Sequence, residues 1–78
     1  MSIDFDPAKD AVNRAKHGLA LDRAIELDLR TAVVQPDQRR AYGMLDGRLH
    51  MLAFTVRDDR MRAISLRRAN ARELKRYG

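Results

Sequence analysis

The sequence predicts an α+β fold of two N-terminal helices, a four-stranded antiparallel sheet and a C-terminal helix, in the order ααββββα. Three observations predict it. Apolar residues recur at helical spacing before residue 28 and at strand-like spacing after residue 30. An Asp-Gly pair at 46–47 stands between two apolar runs, and an Asn70/Glu73 pair opens a last helical stretch.

Each element has its own local signal. Asp6 and Pro7 open the first helix, Asp as an acceptor for free N–H groups at the N-cap and Pro with φ pre-set for the first helical position. Ala8, Ala11, Val12 and Ala15 follow at i, i+3, i+4 and i+7 as one narrow apolar stripe. Lys16 and His17 put cations where the helix dipole favours them, and Gly18 supplies the left-handed residue that ends the helix. A second helix over 20–28 carries Leu21, Ala24 and Ile25 on one face, with Leu27 off the stripe and no clear cap at its start.

Thr31, Val33 and Val34 predict a short strand over 30–35, broken by Pro36-Asp37. Residues 41–45 and 48–56 flank Asp46-Gly47, the signature of a type I′ hairpin. The strand over 48–56 is apolar on both faces toward its end, which predicts a central place in the sheet. Arg57-Asp58-Asp59-Arg60 leads to a fourth strand over 61–67, in which Met61, Ala63 and Ser65 face one way and Arg62, Ile64 and Leu66 the other. Asn70 and Glu73 form a capping box, and Ala71, Leu74 and Tyr77 make the stripe of the terminal helix.

A chain of 78 residues is one small domain, 1–78, too short for a Rossmann or barrel scaffold. It has no Cys, which excludes disulfides, thiolate zinc sites and cysteine nucleophiles. Its N-terminus is acidic and no apolar run approaches the roughly 20 residues that cross a bilayer, so the expectation is a soluble cytoplasmic protein without membrane contact. Charge divides the chain: residues 1–38 carry a net −2 and residues 39–78 a net +7. Ten of the eleven basic residues in the second half are Arg, whose planar fork of donors matches phosphate oxygens. The expected partner is a polyanion.

His17 and His50 are far apart in sequence and belong to no metal-ligand motif, and no Gly-rich phosphate loop or triad spacing is present, so neither a metal nor a cofactor is expected. What remains is a set of Arg on and beside two strands: Arg48, Arg57, Arg60, Arg62, Arg67 and Arg68, with His50, Thr55 and Ser65 among them. Cleaving RNA without a metal needs an activated 2′-hydroxyl, a stabilised phosphorane charge and a protonated leaving oxygen; Arg and Lys suit the second task. His titrates near neutrality as a residue type and Lys shifts when crowded by cations, which makes Lys16, His17 and His50 the proton-handling candidates. The structural readings beside these are a helix-end cation for His17 and a sheet residue for His50. Four aromatic residues are too few for a base-stacking RNA-recognition or OB sheet, and the first two helices are too acidic for helix-turn-helix contact with DNA phosphates.

The ordered residues Phe5-Asp6-Pro7-x-Lys9, Asn13, Lys16-His17-Gly18, Phe54-Thr55-x-Arg57 and Arg62-x-Ile64-Ser65-x-Arg67-x-Ala69-Asn70, with Glu73 and Tyr77, resemble the BrnT toxins of bacterial type II toxin-antitoxin systems over nearly the whole chain. The resemblance implies a RelE-like fold and a ribonuclease that halts translation, held by a BrnA-type antitoxin through which the complex reaches operator DNA. Carried onto this chain, it implies Lys16, His17, Arg57 and Arg67 as catalytic residues. Arg48, His50, Arg60, Arg62, Ser65 and Arg68 are the RNA-binding set beside them. One departure accompanies it: family members carry a longer stretch before the second strand, often with Tyr-Gly-Glu-x-Arg, whereas Asp37-Gln38-Arg39 here runs into Arg40-Ala41-Tyr42-Gly43. If the missing Glu serves as a base or orients an Arg, the expected nuclease is weak. The alternative function is a non-catalytic antitoxin-binding module in an operon-repressing complex.

Overall fold

The computed structural model describes residues 3–34 and 39–78, with side chains over 3–28 and 39–78. In chain order the elements are β1 (Ile3–Phe5), α1 (Pro7–His17), a 3-10 helix (Leu21–Glu26), β2 (Asp28–Val34), β3 (Arg39–Leu45), β4 (Arg48–Arg57), β5 (Arg60–Arg68) and α2 (Ala71–Tyr77). The α+β class is as expected. The sheet is not: it has five strands in the order β1-β5-β4-β3-β2, and β1 runs parallel to β5, pairing Ile3 with Met61 and Phe5 with Ala63. Four antiparallel strands were expected; the sheet is mixed. Three residues are too few to show a period, and their partner lies far along the chain, so no local pattern announces β1. β4 takes the central place expected of it. The expected break at Pro36-Asp37, and the short segment before Arg39, lie outside the described residues.

Local chemistry sets most of the ends. Asp6 accepts from the Ala8 N–H at 2.9 Å, and Gly18 closes α1 at φ 70°. Asp46 and Gly47, at φ 53° and 75°, make the β3–β4 hairpin with two left-handed residues, as type I′ requires. Asn70 and Glu73 complete their capping box at 2.8 and 2.9 Å.

Between His17 and β2 the expected second α-helix is a 3-10 helix. At three residues per turn, Leu21, Ala24 and Leu27 fall on one side. Leu21 and Ala24 are accordingly buried and Leu27 packs beside them, while Ile25, expected on that face, is exposed. Its start is capped from a distance, for Asp10 Oδ1 accepts the Leu21 N–H at 2.7 Å.

The sheet separates two cores. Under the 3-10 helix lie Leu45, Leu52, Phe54, Ala63 and Leu66, with Ile3 and Phe5 at the β1 side. Under α2 lie Tyr42, Leu49, Met51 and Ala53, with Ile64 and Tyr77 against them. Strict alternation along β5 would put Ala63 and Leu66 on opposite faces. They share one, because Phe54 pairs with Ala63 and Ala53 with Ser65, leaving Ile64 as the extra residue of a β-bulge. α2 also turns differently from its expected stripe: Glu73 is buried and Tyr77 packs, whereas Leu74 is 54% exposed. Polar partners below Glu73 decide that rotation.

α1 is docked by a polar side chain. Ala8, Ala11, Val12 and Ala15 are all exposed, and the buried residue of the helix is Asn13, at 3% exposure. Asn13 Oδ1 accepts the Leu66 N–H at 3.0 Å, and its Nδ2 donates to the Leu66 and Leu19 carbonyls at 2.9 and 2.8 Å. Past the end of β1, the edge of β5 offers an unpaired N–H and C=O, and the Asn amide meets both as a neighbouring peptide would. Among the described residues no helix is long and apolar enough to cross a membrane.

Candidate functional site

Four of the ten expected site residues meet at one end of the sheet. Arg48 opens β4, His50 follows two residues later on the same face, and Arg68 ends β5 opposite His50 in the β4–β5 register. His17 comes to them from the last turn of α1. Together they line a cavity of about 280 Å³, closed on its sides by Gly18, Leu19, Arg23 and Asp46.

The cavity is cationic where it faces solvent. Arg23 forks onto Asp46 at 2.8 and 2.9 Å and also reaches Glu26 at 3.1 Å. The Arg23 guanidinium draws the Asp46 carboxyl below its ordinary value, and the Asp46 and Glu26 carboxylates raise that of Arg23. Asp46 is thereby neutralised as a wall group. Among the described residues no ion pair engages Arg48 or Arg68, so their donors remain for an anion.

His50 is 3% exposed, and its Nδ1 stands 2.9 Å from the Arg48 carbonyl oxygen. A carbonyl only accepts, so Nδ1 carries the hydrogen and Nε2 is the lone-pair nitrogen of the neutral ring. A buried imidazole in that tautomer is equipped to take a proton.

The other expected residues lie elsewhere. Lys16 lines a groove between α1 and β5 with Lys9, Val12, Ile64 and Ser65, and His17 borders both that groove and the cavity. Ser65 Oγ donates to Asn13 Oδ1 at 3.3 Å. Arg57 and Arg60 pair at the far end of the β4–β5 hairpin, roughly 30 Å from Arg48 along an extended strand. Arg60 lies 3.5 Å from Asp4, and Arg62 is aligned with Asp4 and Thr55 in the sheet.

Arg67 is on the opposite face from the cavity, where it binds Glu73 through two nitrogens at 2.7 and 3.2 Å. Tyr42 donates to the same carboxylate at 2.9 Å and stacks on Tyr77 with ring centroids 4.1 Å apart. The Arg67 guanidinium is the main reason that the Glu73 carboxyl titrates near 2, while burial, and then Glu73 itself, push the Tyr42 phenol up. Lys16, His17, Arg57 and Arg67 therefore do not share one cavity.

Sequence reasoning missed Arg23 and Asp46 as cavity walls. Asp46 was legible only as a turn residue, and nothing local shows that a side chain 23 positions earlier grips it. Among the described residues there is no group of three or more His, Cys, Asp or Glu side chains placed to hold a metal ion.

A family model described as the ribonuclease toxin BrnT of type II toxin-antitoxin systems matches residues 5–73. No curated protein matches the chain.

Proposed function

Since the chain belongs to the BrnT family of ribonuclease toxins of type II toxin-antitoxin systems, we propose that the cavity at the end of its sheet is where RNA is cut, without a metal ion. The observation that carries this reading is the convergence of His17, His50, Arg48 and Arg68 on one cavity. His50 Nε2 takes the proton of the 2′-hydroxyl, whose oxygen attacks the adjacent phosphorus. Arg48 and Arg68 hold the non-bridging oxygens as charge builds on the phosphorane. The bond to the 5′-oxygen breaks, and the His17 imidazolium supplies the proton which that oxygen needs. The products are a 2′,3′-cyclic phosphate and a 5′-hydroxyl. Arg57, Arg60 and Arg62 lie along the β4–β5 arm as outlying phosphate contacts, with Lys16 beside the cavity. Cutting RNA in the bacterial cytoplasm halts translation, and an antitoxin of the BrnA type silences the protein and carries it to operator DNA.

The test is cleavage of a labelled oligoribonucleotide in excess chelator. Wild type yields a cyclic-phosphate end, His50→Gln and His17→Gln lose about 10²–10⁴-fold in kcat, and Arg68→Ala loses about 10²–10³-fold, all with native circular dichroism. Wild type without cleavage in chelator overturns the metal-independent mechanism.

One observation favours the second reading, a non-catalytic antitoxin-binding module: the apolar side of α1 is uncovered, with Val12 60% exposed. In that case the same assay shows no cleavage with or without metal, while the protein still binds its antitoxin.

A further inference from the structure

Arg48 and Arg68 line two hollows. One is the cavity with His17 and His50; the other is a pocket of about 470 Å³ on the α2 side, walled by Met44, Leu49, Ala69 and Leu74. The two hollows share the pair of arginines as a common wall. We propose that this second pocket receives a nucleobase of the RNA whose phosphate lies in the cavity. The proposal rests on the ribonuclease reading and adds a binding site to it.

Three features select this occupant. The walls are mainly apolar, and Leu74 stands 54% exposed on a helix whose neighbouring Tyr77 is packed, which leaves an apolar surface where a flat base gains by leaving water. No acidic side chain lines the pocket, which Gly47 and Gly78 complete with backbone alone. Arg48 and Arg68 separate the two hollows, and a guanidinium both binds phosphate and stacks its plane on a base. A nucleotide linked to a bound phosphate can therefore place its base across the wall. Because the side chains apart from the arginines offer no hydrogen-bond pattern, the pocket distinguishes base from no base more strongly than one base from another.

Binding tests this independently of cutting. The probe is a short oligoribonucleotide with 2′-O-methyl sugars throughout, which 2′-attack cannot cleave, compared with versions bearing one abasic residue at each position in turn. In wild type, an abasic residue at one position weakens binding about tenfold, the scale of one stacked base. Leu74→Ser reduces that difference to within about threefold, and Leu74→Met, which keeps the apolar volume, retains it. Equal affinity for intact and abasic probes, undiminished discrimination in Leu74→Ser, or no binding at all overturns the proposal; the first is also the result if a partner protein's apolar side chain fills the pocket. Base discrimination without cleavage of unmodified RNA upholds the pocket and overturns the nuclease reading instead.

Discussion

Glu73 shows how much one side chain can be asked to hold. Its carboxylate accepts from the Asn70 N–H, from Arg67 through two nitrogens and from the Tyr42 hydroxyl, at 8% exposure. Arg67 first, then the Asn70 N–H and Tyr42, draw its pKa to about 2 from an ordinary 4.5 against the opposing effect of burial. A carboxyl depressed on folding stabilises the fold fully above its unfolded value. That stabilisation is lost as pH falls from about 4.5 toward 2. Glu73→Gln should cost about 1.5–3 kcal/mol at neutral pH, the range for hydrogen bonds to a charged group. Melting temperature against pH checks this: the wild-type curve falls through the acid range and the variant's is flatter, so parallel curves would refute it. The capping role of Glu73 was legible from its spacing to Asn70. Its ion pair was not, because the resemblance implies Arg67 as a catalytic residue and only the approach of α2 to β5 brings it to Glu73.

At the scale of elements, α1 is held by its least expected residue. A stripe of Ala and Val at helical spacing ordinarily marks the buried side, yet here the stripe is exposed and Asn13 is the buried contact. β1 covers the edge of β5 only as far as Ala63, and the next backbone groups need a polar partner. Asn13→Ala leaves the Leu66 N–H and the Leu66 and Leu19 carbonyls without it. The expected loss is about 2–4 kcal/mol, read from urea unfolding as a lower midpoint at unchanged m. A loss below about 0.5 kcal/mol would mean that water replaces the amide. The 3-10 helix gives the same lesson. Its apolar residues are present in sequence, but whether Ile25 or Leu27 turns inward depends on the number of residues per turn, which is settled by Asp10 capping Leu21 and by packing on the sheet.

For the whole molecule, the arginines of the basic second half are spread along the sheet and not gathered at one place. The arginines of β4 and β5 spread from Arg48 and Arg68 at the cavity end to Arg57 and Arg60 at the opposite hairpin. Under the ribonuclease reading, the distant pair adds affinity without sequence preference. Arg57→Ala should weaken binding to single-stranded RNA of any sequence and flatten the plot of log affinity against log salt by about 0.7, the counterion release of one phosphate contact. Titrations across a salt series measure it. Parallel plots would remove Arg57 from the RNA path.

What the sequence determined by itself was local or summed over the chain. The Asp6 and Asn70 caps, the Gly18 terminus and the Asp46-Gly47 hairpin follow from backbone groups satisfied within a few residues, and the basic second half follows from counting. Family membership was legible too, through motifs spread from Phe5 to Tyr77. Tertiary structure alone decided the parallel pairing of β1, the bulge at Ile64, the docking of α1 through Asn13, and the separation of Arg67 from the cavity that gathers His17, Arg48, His50 and Arg68. The reason is physical: these depend on which distant groups meet at a sheet edge or across its faces, and a pattern along the chain does not record the distance between residues it does not join.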